Sequence, residues 1–204
     1  RVANEVIVTG NPAFDSLKIY KNKSNYFRQK YNYNNQSKVI LWSSQPEPNI
    51  HPFTGEKGNP ELPENIESHL VNIAIKNPEY RIIFRQHPSE NRKYSNLPKN
   101  IYISRPDDNL YEQLALSDVV LTMSSTVGLE AAILGKFLIT IDLSVCTQDA
   151  PYSEMGFSHG IRKLSDLENS LKKEDNMIHK MDTKISLNAT KNVVEVLLET
   201  VGIK

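Results

Sequence analysis

The sequence predicts an α/β fold: a Rossmann-like parallel sheet with helices packed on both faces. Three observations predict it. Short apolar runs at Lys38–Trp42, Tyr80–Arg85, Ile101–Ser104, Asp118–Thr122 and Phe137–Ile141 read as strands. Amphipathic or helix-capped segments separate most of them, and alternation of strand and helix is the pattern of parallel sheets. The strand runs are apolar nearly throughout instead of alternating with polar residues, as expected of strands covered on both faces.

Each element has a local reason. Glu5–Val8 reads as a short apolar strand before the turn Thr9-Gly10-Asn11-Pro12. Residues 12–36 are polar, with Tyr20, Tyr26, Phe27, Tyr31 and Tyr33 among Lys and Asn; a helix over about Asn25–Tyr31 packs by its aromatics. Strand 38–42 ends in Ser43-Ser44-Gln45-Pro46. Residues 46–61 hold four prolines and two glycines, which predicts a long loop, and such loops in compact domains are often functional. Pro63 suits the first turn of a helix running to Lys76, with Ile66, Leu70, Ile73 and Ala74 at helical spacing and Asn77-Pro78 as its stop. Asp107 or Asp108 is expected to cap a helix over Asn109–Leu116. Strand 118–122 feeds a helix over 126–134, stopped by Gly135. Residues 142–163 read as irregular. Ser165-Asp-Leu-Glu168 resembles a capping box opening a helix to about Lys173. A last helix spans roughly 184–201, with Ala189, Val193, Val196, Leu197 and Val201 on one face.

Composition narrows the function classes. A chain of 204 residues suits a single domain, or at most two small ones. Its 24 basic and 24 acidic side chains balance, so there is no electrostatic case for nucleic acid or for an anionic membrane surface. The single cysteine, Cys146, excludes an internal disulfide and a cysteine-rich zinc site, and fits a reducing, cytoplasmic setting. No apolar run approaches the ~20 residues of a membrane span and no signal peptide is visible. Attachment of a larger protein to the inner face of a membrane stays open. The chain opens Arg1-Val-Ala-Asn4 without Met, which reads as a fragment of a longer protein.

The chemistry concentrates at two strand ends. Ser124-Ser125-Thr126 falls where a buried strand meets a helix N-terminus, a place of unpaired N–H groups and a favourable dipole for an anion. Such residues are also the usual helix N-caps, and at least one of them is expected to cap. Gly128 in the first turn costs about 1 kcal/mol against Ala, which a close ligand approach or tight helix–sheet packing would each explain. Glu130 lies in the first helical turns, within reach of a ribose diol. Upstream, His87-Pro88 follows strand 80–85; His87 can donate to a phosphate oxygen, with Arg85 and Arg81 as nearby charge, or simply bond a loop carbonyl. Open parallel sheets bind ligands at the carboxyl ends of their strands, so two polar strand ends predict a phosphate-bearing ligand. Asp149, Glu154 and His159 lie in an irregular segment with Gly156 and Gly160 that reads as an ordinary polar loop, with a sugar-facing loop as the alternative, and His51, His69 and His179 receive no role. No metal-ligand spacing, Walker loop, GxGxxG or GxSxG elbow is present. No metal and no cofactor is expected. No catalytic residue is assigned beyond His87 as a candidate phosphate donor.

Several pieces together resemble a known architecture. Val8-Thr-Gly-Asn-Pro-Ala-Phe-Asp15 looks like the crossover into the C-terminal domain of GT-B enzymes such as the hydrolysing UDP-N-acetylglucosamine 2-epimerases. The polar strand ends Ser43-Ser44-Gln45 and His87-Pro88, then Ser-Ser-Thr, Glu130-Ala-Ala and Gly135-Lys136, follow in the same order. Bacterial sialyltransferases also carry His-Pro and Ser-Ser motifs that bind CMP, and CDP-glycerol glycerophosphotransferases share related features. The resemblance implies one domain over 1–204, with 1–15 as interdomain crossover, holding a UDP- or CMP-linked sugar. It implies that Ser124, Ser125 and Thr126 hold phosphate, Glu130 the ribose, and the segment around Ser104-Arg105 the base. A missing N-terminal domain would bring the acceptor. The chain departs from the epimerases in having Ser124-Ser125 where they place glycines, and Leu129-Glu130 where they place an acidic pair. This favours glycosyl transfer in bacterial surface polysaccharide biosynthesis. Epimerisation or hydrolysis on the same fold, and a non-catalytic α/β module, are the alternatives.

Overall fold

The strands are β1 (Val39–Ser43), β2 (Arg81–Arg85), β3 (Ile101–Ile103), β4 (Val119–Thr122), β5 (Phe137–Ile141) and β6 (His159–Ile161). They form one sheet in the order β3-β2-β1-β4-β5-β6, and every pairing is parallel. The computed structural model describes residues 6–34, 36–172 and 187–202. The expected roles of residues 1–5, the helix end near Lys173, His179 and the helix start at 184–186 lie outside the described residues.

The side-chain alternation of the strands divides the core in two. Ile40, Trp42, Ile82, Phe84, Leu121 and Ile139 pack on one face beneath α2 (Leu62–Lys76) and α5 (Leu167–Leu171). Val39, Leu41, Ile83, Val120 and Leu138 pack on the other. There they meet a 3-10 helix (Pro12–Ile19) and the helices α1 (Ser24–Lys30), α3 (Leu110–Leu116) and α4 (Val127–Ile133). β1 is fully buried at every position, which its uninterrupted apolar run requires.

Helix ends follow local chemistry, with corrections to the sequence reading. Pro63 opens α2, and Asn77 closes it by bonding the Ile73 carbonyl. Asn109, not Asp107 or Asp108, caps α3: its side chain accepts from Tyr111 and Glu112 N–H. Asp108 instead accepts from the Tyr102 hydroxyl and the Arg105 N–H. Gly135 ends α4 at φ 71°, the left-handed region that glycine enters without penalty. The expected capping box does not form, because Glu168 turns outward to Lys76 and Lys172 while Ser165 bonds Asp166. α6 (Ala189–Thr200) is capped across the chain by Asp15, which accepts from Ala189 and Thr190 N–H. Those bonds hold the Asp15 carboxyl below its usual range. Of the stripe expected on α6, only Ala189 is buried; Leu197 and Val201 are exposed.

Three further differences have physical reasons. Residues 6–8 form no strand and stand in solvent: none of the sheet's pairings involves them, so their apolar side chains have no sheet face to cover. The 3-10 helix at Pro12–Ile19 was hidden by its polar content, although Phe14 and Leu17 are spaced to share one face. β6, inside the stretch expected to be irregular, is only His-Gly-Ile and carries no apolar run.

The order 3-2-1-4-5-6 reverses direction between β1 and β4. In open α/β sheets the ligand crevice lies outside the carboxyl ends of the strands at such a switch point. Among the described residues, no helix is long and apolar enough to cross a membrane.

Candidate functional site

Two polar loops leave the switch point. Ser43-Ser44-Gln45 follows β1, and Met123-Ser124-Ser125-Thr126 follows β4. They are tied together. Thr122 Oγ1 donates to the Ser43 carbonyl at 3.1 Å. Gln45 Nε2 donates to Ser124 Oγ at 2.9 Å, and the Ser124 N–H donates to Gln45 Oε1 at 3.1 Å. Ser43 is buried, so only its carbonyl serves this junction.

Within the turn, Thr126 holds the N-cap position of α4 without a side-chain cap bond, and Ser125 Oγ, one residue earlier, accepts from the Val127 N–H. The N–H groups of Ser125 and Thr126 have no protein partner among the described residues, and Thr126 is exposed. These are the donors left for a ligand. Gly128 is explained by packing: a Cβ there would lie 3.0 Å from the Tyr152 ring and 3.3 Å from Thr122 Cγ2. Glu130 is buried, with Tyr111 Oη at 3.4 Å as its one hydrogen-bond donor among the described residues. Burial pushes its carboxyl above the usual range.

On the β2–β3 side, Arg85, Gln86, His87, Pro88, Glu90, Arg92, Ser104, Arg105 and Pro106 line an open cleft of about 420 Å³. His87 is exposed, and its Nδ1 accepts from the Ser89 N–H at 3.2 Å. That fixes the neutral ring as the Nε2–H tautomer and leaves Nε2 as the outward donor. Arg85 is committed elsewhere: its Nη1 donates to Ser104 Oγ, the Asp108 carbonyl and Gln113 Oε1. It ties the ends of β2 and β3 to α3. Arg81 cannot assist His87, because it sits at the amino end of β2 and bonds the Pro78 and Tyr80 carbonyls. Arg105 is exposed and pairs with Asp108 at 3.3 Å.

A buried ion network joins the two halves of this rim, and nothing in the sequence announced it. Arg92 pairs with Glu67 at 2.6 Å, with Glu90, and with Ser44 Oγ at 2.7 Å. Ser44 donates onward to Glu90, and Glu90 accepts the His87 N–H at 2.8 Å. The Ser44 hydroxyl is therefore committed to the framework. Glu67 also accepts from Trp42 Nε1 and from Tyr94 Oη, and burial with this partner pushes the Tyr94 hydroxyl up to about 12. Burial opposes the charge of Arg92, but its bonds to Glu67 and Glu90 raise its pKa further.

The long loop 46–61 is clasped to the loop after β5. Buried Glu47 accepts from Ser144 Oγ at 2.6 Å and from the Val145 N–H at 2.8 Å. Buried His51 meets Asp149 Oδ2 at 3.0 Å through Nε2. His51, Asp149 and Cys146 place three potential metal-ligand atoms within 4.8 Å of one another. The ring does not fit a metal, however. Its Nδ1 accepts from the Phe53 and Thr54 N–H groups, so the proton resides on Nε2, the atom that would have to ligate.

The molecule is thus a doubly wound α/β domain whose polar rim runs along the carboxyl ends of β3, β2, β1 and β4. The sequence profile described as UDP-N-acetylglucosamine 2-epimerase matches residues 2–144, and the chain belongs to that family. No curated protein matches it by sequence. Among solved structures, it is similar to the Neisseria meningitidis UDP-GlcNAc 2-epimerase bound to UDP-GlcNAc, with 21% identity and a TM-score of 0.70, covering 96% of this chain and 56% of that one. It is also similar to MnaA of S. aureus in complex with UDP, with 17% identity and a TM-score of 0.67, covering 100% and 56%. A third is the wall teichoic acid polymerase TagF, with 17% identity and a TM-score of 0.58, covering 96% and 52%. The chain spans little more than half the length of these proteins. The expected Rossmann-like domain of GT-B type is the fold observed.

Proposed function

We propose that the chain is the nucleotide-sugar donor-binding half of a GT-B glycosyltransferase of bacterial surface polysaccharide biosynthesis. The observation that carries this reading is the switch-point rim in a member of the epimerase family. There, Ser125 and Thr126 N–H groups stand without protein partners among the described residues, beside the Ser124 hydroxyl. Similar folds hold UDP-GlcNAc in the N. meningitidis enzyme and UDP in MnaA, which supports a nucleotide-linked sugar here.

In this reading the turn holds the phosphates, and buried Glu130 accepts from the ribose diol. Ser104, Arg105 and Pro106 frame the base, and His87 offers Nε2–H to a phosphate oxygen. Catalysis is electrostatic: neutral donors placed in advance stabilise the leaving nucleotide phosphate as the glycosidic bond breaks. Residues 1–15 serve as crossover to a further domain that brings the acceptor and the general base. Epimerisation on the same fold is the second reading, favoured by the family match itself.

Calorimetric titration with UDP, CDP and CMP tests the proposal, alongside a Ser124→Ala/Ser125→Ala double variant. Binding of one nucleotide, lost in the variant, is the expected result and identifies the base. Absence of binding to all three at millimolar ligand overturns the site. Conversion of UDP-GlcNAc to its 2-epimer by a longer protein containing this chain would overturn transfer in favour of epimerisation.

A further inference from the structure

We infer that Gln45 is a positioning residue that turns Ser124 into a one-way hydrogen-bond donor for the phosphate of the nucleotide. The inference rests on the functional reading above and deepens it. A serine hydroxyl can donate or accept, and a crevice for phosphate needs donors only. Gln45 removes the ambiguity. The Ser124 N–H can only donate, so the group 3.1 Å from it must be the amide oxygen of Gln45. That fixes the amide, and its NH2 then faces Ser124 Oγ at 2.9 Å. An NH2 only donates, so Ser124 Oγ accepts from it and the hydroxyl proton points away from Gln45. The same contact withdraws the Ser124 N–H from any ligand.

Facing the ligand are then the Ser124 O–H, turned outward by Gln45, and the Ser125 and Thr126 N–H groups, which have no protein partner among the described residues. Both polar ends of Gln45 are engaged with one residue, and Gln45 is only partly exposed. Its side-chain contacts among the described residues are both to Ser124, and it acts through that residue. It also spans the switch point, joining the chain after β1 to the chain after β4, so it sets the width of the crevice there.

The test is a double-mutant cycle on nucleotide affinity, with Q45M, S124A and the pair, using UDP and CMP against uridine and cytidine. Q45M is expected to weaken the nucleotide the chain binds by about tenfold, while its nucleoside changes less than about twofold, since only the phosphate increment is affected. In the S124A background, Q45M is expected to cost less than about threefold. The 31P shift of the bound nucleotide should move in Q45M. If Q45M fails to fold, Q45N serves: it is uncharged and one methylene shorter, which draws the amide back from Ser124, and the same phosphate-confined loss is expected. Equal weakening of nucleotide and nucleoside, or a full tenfold loss persisting in S124A, overturns the inference, the latter by placing Gln45 on the ligand itself. A wild-type chain that binds no nucleotide overturns the functional reading, whereas wild-type binding with an unaffected Q45M or, where Q45M does not fold, an unaffected Q45N overturns this inference alone.

Discussion

His51 holds Asp149 through Nε2 at 3.0 Å while its Nδ1 accepts two backbone N–H groups, from Phe53 at 3.3 Å and Thr54 at 3.0 Å. Only the neutral Nε2–H ring satisfies all three. The imidazole is 3% exposed, so His51→Ala would empty a buried position and take from the Phe53 and Thr54 N–H groups their protein acceptor. A loss of about 2–3 kcal/mol in unfolding free energy is expected. Thermal unfolding gives the magnitude, and hydrogen exchange locates it: the Phe53 and Thr54 amides should exchange faster in the variant. Zinc is expected to leave the melting temperature of the wild type unchanged; an upward shift at stoichiometric zinc would mean that the ring reverses its tautomer for Cys146 and Asp149.

Arg92 stands between two carboxylates, Glu67 and Glu90, whose side chains are almost wholly buried. Removing the guanidinium leaves both acids uncompensated, which costs far more than the pair contributes as a pair. Arg92→Ala is expected to destabilise by about 3–5 kcal/mol. Arg92→Lys recovers only part of this, because one ammonium cannot reach Glu67, Glu90 and Ser44 together. Denaturant unfolding compares the three proteins. A loss below about 1 kcal/mol in Arg92→Ala would mean that the network contributes nothing to holding the β1 and β2 loops.

The fold was legible because its determinants are local and repetitive. β1, β4 and β5 are apolar throughout and fell within a residue or two of the expected strands. Pro63 and Gly135 mark helix ends by their own backbone limits. Tyr20 stacking on Phe27 bears out a first helix packed by its aromatics. β6 escaped because three residues with a central glycine carry no period. Asn109 is masked as a cap in the sequence by the two aspartates that precede it, and only the structure shows Asp108 turned to Tyr102. At the rim, Ser124 and Gln45 were each visible as polar strand ends, but their pairing was not. The same limit hid Glu67–Arg92 and His51–Asp149, whose partners lie 25 and 98 residues apart. Pairing at that distance follows from strand order, which no single-sequence pattern encodes.

Glu130 carries a pH dependence. Its folded pKa is raised by burial, with the Tyr111 hydrogen bond only partly offsetting it. The folded state therefore holds the proton more tightly than the unfolded state, whose carboxyl titrates near 4.5. Stability from this group is fully present below that value and is lost as pH rises through the raised folded pKa. Glu130→Gln is expected to be more stable than the wild type at pH 7 by on the order of 1 kcal/mol, with the difference vanishing near pH 4. Unfolding series at the two pH values measure it. The same variant should bind nucleotide more weakly if the carboxylate accepts from a ribose diol, and a 2′,3′-dideoxynucleotide, which has neither hydroxyl, should then bind wild type and variant alike.

Gly128 separates packing from ligand approach. The residue lies inside α4, where alanine would be favoured by about 1 kcal/mol on helix propensity alone. Its φ is not positive, so the backbone does not demand glycine. The obstacle is steric: a new Cβ would sit 3.0 and 3.2 Å from two atoms of the Tyr152 ring and 3.3 Å from Thr122 Cγ2. Tyr152 is 7% exposed, so its ring cannot swing into solvent without losing its packing. Overpacking of this kind costs about 1–3 kcal/mol, which outweighs the propensity gain. Gly128→Ala is therefore expected to be destabilised by up to about 2 kcal/mol. Tyr152→Leu removes the ring, so Gly128→Ala in that background should be neutral or stabilising, a non-additivity readable by denaturant unfolding. If Gly128→Ala leaves stability unchanged but abolishes nucleotide binding, the glycine exists for the ligand and the contact with Tyr152 is incidental.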